Sequence, residues 1–216
     1  MFIIFISVSV KKEVFVFHSQ HKQIEESIQS VQPGTVFAIS DFSHISVPET
    51  CSKVLTRLSE KNKIVKVFRG VFWKPDGIHE KPEPDKVAKA LARNNRWKAI
   101  PCGETVLYLL GLVSRIPAKW TYITDGTYRS YECGDSLIEF HHTTGDIIHT
   151  VSEKTALLIQ TLKAYGKDRI SDELLITIHN AFKIADPSRI MEESKLAAEW
   201  ISNAVSRMFY IASKQS

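Results

Sequence analysis

SVPETCSKVLTRLSEKNKIVKVFRGVFWKP, residues 46–75, is the stretch that decides how this chain reads. Apolar Cys51, Val54, Leu55 and Leu58 fall on one stripe of an α-helix, which leaves Thr50, Lys53, Thr56 and Arg57 on the opposite face. Ser46-Val47-Pro48-Glu49 reads as a capping box opening that helix, with proline in the first turn where a missing N–H costs nothing. The helix is expected to run to about Lys61 and to end at Asn62, because asparagine tolerates the left-handed conformation. Ile64–Phe68 and Val71–Trp73 then read as two strands joined by an Arg69-Gly70 turn, and Lys74-Pro75-Asp76-Gly77 closes the unit.

Working outward towards the N-terminus, Ile24, Ile28 and Val31 predict an amphipathic helix over Ser19–Val31, broken by Pro33-Gly34. Thr35–Ile39 is strand-like, and Ser40 or Asp41 can cap a brief helix through Phe42 and Ile45. Helix, short helix, capped helix and β-hairpin is the order of a winged helix-turn-helix, placed at residues 19–77. Residues 1–18 begin with an apolar run, Met1–Val10, too short to span a bilayer and without the charged start or cleavage site of a signal peptide. They read as a strand or a poorly ordered N-terminal extension, for which an upstream start codon is one origin.

The 216 residues carry a net charge of +4. Between Val47 and Lys74 lie Lys53, Arg57, Lys61, Lys63, Lys66, Arg69 and Lys74 against Glu49 and Glu60, so this one segment holds the chain's positive excess. A local excess of this kind is the footprint of a phosphate-binding surface. A recognition helix needs short polar and guanidinium side chains for the major groove, and a hairpin beside it needs charge for the backbone. Thr50, Ser52, Lys53, Thr56 and Arg57 suit the first role, with Arg57 able to take a guanine edge in bidentate fashion. Lys63, Lys66, Arg69 and Lys74 suit the second.

Downstream, residues 78–85 contain Pro82 and Pro84 and read as a linker, with a second, α+β domain over 86–216. Helices are predicted for Asp85–Asn94 and Glu104–Leu110, the latter ended by Gly111. Lys119–Thr124, Arg129–Glu132 and Leu137–His142 read as strands joined by turns at Asp125-Gly126 and Gly134-Asp135, so a small, mainly antiparallel sheet of consecutive neighbours is expected. Three helices finish the chain. Thr150-Val151-Ser152-Glu153 caps the first, Ser171 the second, and Asp186-Pro187 opens a single last helix with Ala197, Trp200, Ile201, Ala204, Val205 and Met208 on one stripe. That stripe is read as core, with dimerisation as the alternative.

Other chemistries find little support. Cys51, Cys102 and Cys133 are odd in number and widely spaced, which fits a reducing cytosol rather than a disulfide framework or a zinc site. Adjacent His141 and His142 point to opposite faces of a strand and, even with His149, cannot easily chelate one ion. Asp125 and Glu139 could be imagined as a catalytic pair, but a hairpin-turn aspartate is the commoner explanation, and no phosphate loop, nucleophile elbow or HExxH is present. Neither an enzyme, a metal nor a cofactor is expected.

The segment Val54–Ile64 (VLTRLSEKNKI) followed by Phe68–Pro75 (FRGVFWKP) resembles the winged-helix start of the AbiEi-type antitoxins, which read LxRLxxKGxIxRxxRGxY. The second half resembles less-characterised relatives of that group through Asp85–Arg93, Gly103-Glu104-Thr105, Leu110-Gly111-Leu112, Ile116-Pro117-Ala118 and Thr124–Arg129, so the likeness covers about residues 20–185. Asn62 stands where glycine is usual and Phe72 where tyrosine is usual. The resemblance implies a cytoplasmic repressor of its own operon, binding double-stranded DNA at inverted repeats, and the antitoxin of a type IV pair whose toxin resembles a nucleotidyltransferase. It leaves open whether the second domain makes a homodimer, counters the toxin, or both. The alternative reading is a protein-interaction module that neutralises a toxin by direct binding, with the winged helix as scaffold.

Overall fold

The computed structural model describes residues 19–144, 147–182, 184 and 186–214, so the expectation for residues 1–18 lies outside the described residues. The chain is α+β. It opens with α1 (Gln20–Ser30), β1 (Val36–Ala38), a 3-10 turn (Ile39–Phe42) and α2 (Pro48–Glu60), followed by β2 (Val65–Phe68) and β3 (Val71–Trp73). The three strands form an antiparallel sheet in the order β1-β3-β2.

Every residue of β1 and β3 is buried, because alternate side chains enter two different cores. Phe37 and Phe72, stacked with centroids 6.3 Å apart, join Ile24, Ile28, Val54, Leu55 and Leu58 of α1 and α2. Val36, Ala38, Val71 and Trp73 point the other way, into a core shared with α3 (Pro84–Asn95) and the second sheet. The first sheet is therefore a wall between two cores, and the packing runs straight across the boundary read at residues 78–85. The Arg93 guanidinium reinforces the join, donating to both oxygens of Asp41 at 2.8 and 2.9 Å.

Helix α2 begins one residue later than expected. Val47, extended at φ −67° and ψ 154° as a residue before proline must be, is the N-cap, and Pro48 is the first helical residue. The expected capping box does not form; the Ser46 hydroxyl donates instead to Gln20 Oε1 on α1 at 2.7 Å. Asn62 ends the helix as read, at φ 54°, with the Lys63 N–H bonded to the Leu58 carbonyl and the Asn62 N–H to that of Ser59. This is the doubly bonded left-handed cap.

The second half continues with β4 (Ala99–Pro101), α4 (Gly103–Leu109), β5 (Lys119–Thr124), β6 (Arg129–Cys133) and β7 (Ser136–His142), in sheet order β4-β5-β7-β6. The sheet is mainly antiparallel, but β5 and β6 are not neighbours: β7 lies between them, parallel to β5 and antiparallel to β6. Ile138 and Phe140 of β7 are fully buried, which favours the central position, and residues 125–128 suffice to cross two strand spacings of about 4.8 Å each. Asp125-Gly126 is thus no hairpin turn, and Gly126 lacks the positive φ such a turn demands. Asp125 accepts the Lys98 N–H at 2.8 Å, and Gly126 lies so close to the Trp97 ring that a Cβ would sit 2.2 Å from it. Gly134, at φ 62°, does make the β6–β7 turn.

The remaining helices are α5 (Ile147–Thr150), α6 (Glu153–Tyr165), α7 (Asp172–Phe182), α8 (Pro187–Ser194) and α9 (Glu199–Ser213). Leu158, Ile159, Leu162, Leu175, Ile178, Ile201, Val205 and Met208 build their core, so the apolar stripe of the last helix is buried within the chain. Two details differ from expectation. Ser152, not Thr150, caps α6, and the expected single last helix is two, broken at Lys195–Ala198 so that α8 can lie against α6 as well as α9. Among the described residues no helix is long and apolar enough to cross a membrane.

Candidate nucleic-acid interface

Burying Cys51, Val54, Leu55 and Leu58 turns the opposite face of α2 outwards, towards the β2–β3 hairpin. Between helix and hairpin runs a groove of about 700 Å³. Pro48, Glu49, Ser52, Lys53 and Thr56 line it from α2, Lys66 and Arg69 from the hairpin, and Ile39, Gly70, Phe72 and Asn94 complete it. Five of the nine candidate residues, Ser52, Lys53, Thr56, Lys66 and Arg69, thus share one concave surface. Thr50 and Arg57, two turns apart, share a flank of α2 beside the groove, and Lys63 is exposed just past the helix end.

Lys74, expected on the phosphate-facing surface, is placed differently. Its ammonium faces the C-terminal end of α1 and donates to the carbonyls of Ile28, Gln29 and Val31 at 3.0, 2.9 and 2.6 Å. It satisfies carbonyls that a helix end leaves without partners, and a cation there also complements the helix dipole. The charge that looked available to phosphate is spent on the fold.

The remaining cations behave otherwise. Among the described residues Lys53, Arg57, Lys63, Lys66 and Arg69 form no ion pair. On α3, by contrast, Lys86 pairs with Glu83, Lys89 with Asp85 and Arg93 with Asp41. The two sets of bases look alike in sequence and differ in what the fold gives them to bind. Two groove residues escaped the sequence reading. Glu49 reads from the sequence as a capping-box residue and an opposing charge, not as a groove residue, and Asn94 reaches the groove only because α3 packs behind the sheet. Gly70 makes room for it: at φ +80°, a Cβ there would lie 2.7 Å from the Asn94 amide, a contact that no local pattern in the sequence signals.

The histidines and carboxylates considered for other chemistry are dispersed. His142 Nδ1 meets the Gly126 carbonyl oxygen at 2.7 Å, His149 lies 3.4 Å from Asp125, and His141 lies 3.5 Å from Glu139. No group of three or more potential metal ligands occurs among the described residues. Burial pushes the Cys102 thiol up to about 11 and also raises Cys51 and Cys133, which keeps all three protonated and poorly nucleophilic at neutral pH.

A family model described as a family of unknown function, DUF6088, matches residues 23–190, taking in the groove, Asn94 and the second sheet. No curated protein matches the sequence.

Proposed function

The chain belongs to the DUF6088 family, whose function is unknown, and from that premise we propose that it is a double-stranded-DNA-binding transcriptional repressor built on a winged helix. The observation that carries this reading is the groove between α2 and the hairpin, whose lysines and arginine have no acidic partner among the described residues. Helix α2 serves as the recognition helix, and the hairpin lies along the phosphate backbone. The resemblance to AbiEi-type antitoxins extends the proposal to the antitoxin of a type IV pair, repressing its own operon in the cytoplasm, with a nucleotidyltransferase-like toxin as functional partner. Inverted repeats in the operator would call for a homodimer.

The test is fluorescence anisotropy with two duplexes, one enriched from a random library by the protein itself and one of random sequence. Arg57→Ala is expected to lose roughly 1–3 kcal/mol on the enriched duplex and little on the random one. Lys66→Ala should weaken both and flatten the salt dependence by about one counterion. Equal loss on both duplexes for Arg57→Ala would remove its groove-reading role. Failure of the protein to bind any duplex, together with a toxin complex that survives nuclease and high salt, would turn the reading into that of a protein-interaction module.

A further inference from the structure

The groove is not the work of residues 19–77 alone. Asn94, in the last turn of α3, lines it beside Arg69 and Gly70. The side chain is half-buried, and its amide nitrogen and oxygen each lie 2.7 Å from where a Cβ on Gly70 would stand. Packing against that glycine holds the amide in place, yet it has no hydrogen-bond partner among the described residues. The neighbouring Arg93 grips Asp41 on the 3-10 turn with two hydrogen bonds, which fixes α3 against the first half.

Most polar side chains around the groove can donate a hydrogen bond. Lys53, Ser52 and Thr56 stand on the α2 wall and Lys66 and Arg69 on the hairpin wall, with the Asn94 amide against Gly70. Glu49, in the first turn of α2, is the one acid among the lining residues. A phosphodiester carries negative charge and accepts hydrogen bonds without donating any. Cations on both walls and neutral groups able to donate beside them match that chemistry, and Ser, Thr and Asn side chains are common phosphate contacts.

We propose that one sugar–phosphate strand of a DNA duplex lies in this groove and that the Asn94 amide donates to a phosphate oxygen there. The proposal rests on the DNA-binding reading above and adds to it that the DNA surface is built by both halves of the chain.

A neutral donor releases no counterion when it binds, which separates Asn94 from the lysines. Using full-length protein and the same enriched and random duplexes, Asn94→Ala should weaken binding to both by about tenfold, as for one hydrogen bond to a charged group. Its plot of log affinity against log salt should run parallel to that of the parent, whereas Lys66→Ala should be shallower by about 0.9. Asn94→Asp, nearly isosteric, should bind both duplexes more weakly than Asn94→Ala, because it sets a carboxylate against the phosphate. Thermal melting of each variant identifies any loss that comes from unfolding. Unchanged affinity in folded Asn94→Ala and Asn94→Asp, while Lys66→Ala weakens, overturns the proposal and leaves DNA binding standing. Loss confined to the enriched duplex overturns it in favour of base reading. No binding by the parent protein defeats the DNA reading itself.

Discussion

Lys66 lies on β2 and Lys74 one residue past β3 in the same basic segment, and charge alone does not separate them. The fold separates them completely: Lys66 is exposed at the groove, whereas Lys74 holds three carbonyls at the end of α1. Lys74→Met, which keeps the apolar stem, should lower stability in urea denaturation by about 1–3 kcal/mol while leaving DNA affinity within about twofold of the parent. Lost affinity at full stability would return Lys74 to the proposed interface. Glu193 is a second residue whose role only the contacts disclose. Burial pushes its pKa up, but hydrogen bonds from Ser152, Thr155 and Arg189 outweigh burial and hold it down at about 2, against an ordinary 4.5. A depressed carboxylate stabilises the fold in full above about pH 4.5, and that contribution is lost as pH falls from there towards 2. Glu193→Gln should therefore cost on the order of 1–3 kcal/mol at pH 7, with the gap to the parent closing as acid titrations approach pH 2. A gap that does not change with pH would remove the linkage.

At the scale of elements, glycine and asparagine carry the clearest lessons. Asn62 could be assigned its left-handed cap from sequence because the requirement is local: the helical stripe ends there and few residues tolerate a φ of 54°. Asp125-Gly126 misled for a complementary reason. The pair has the composition of a tight hairpin turn, but here the glycine is needed for space beneath Trp97 rather than for φ. Gly126→Ala should consequently cost about 1–3 kcal/mol by overpacking, read as a fall in melting temperature, although alanine suits the backbone conformation. β6 takes the edge with every residue but Cys133 at least partly exposed, while β7 buries Ile138 and Phe140 beside β5, and turn composition says nothing about that.

For the whole molecule, the decisive fact is that β1 and β3 are buried on both faces. Residues 19–77 cut free would expose Val36, Ala38, Val71 and Trp73 together, a patch that small soluble domains rarely tolerate. The expectation is that this fragment shows no cooperative unfolding transition on its own, and that the full chain shows no separate transition for it. A fragment that melts cooperatively and binds DNA like the full chain would establish an autonomous domain. The same continuity explains how a residue of α3 comes to line a groove made by α2 and the hairpin.

Periodicity, breakers and charge clustering sufficed to find the helices around 20–30, 48–60 and 84–95, the hairpin, the three longer strands of the second sheet and the basic segment, because each of these is dictated by neighbours within a few residues. Short β4 and α5 escaped, since unlike the equally short β1 and β3 they stand outside the helix–hairpin order that made those legible. Tertiary structure alone decided the strand order of the second sheet, the fate of Lys74, the arrival of Asn94 and the sharing of a core across the proline-rich segment. Local patterns report which face of an element is apolar, but which other element covers that face is settled only when all of them compete for the same buried surface.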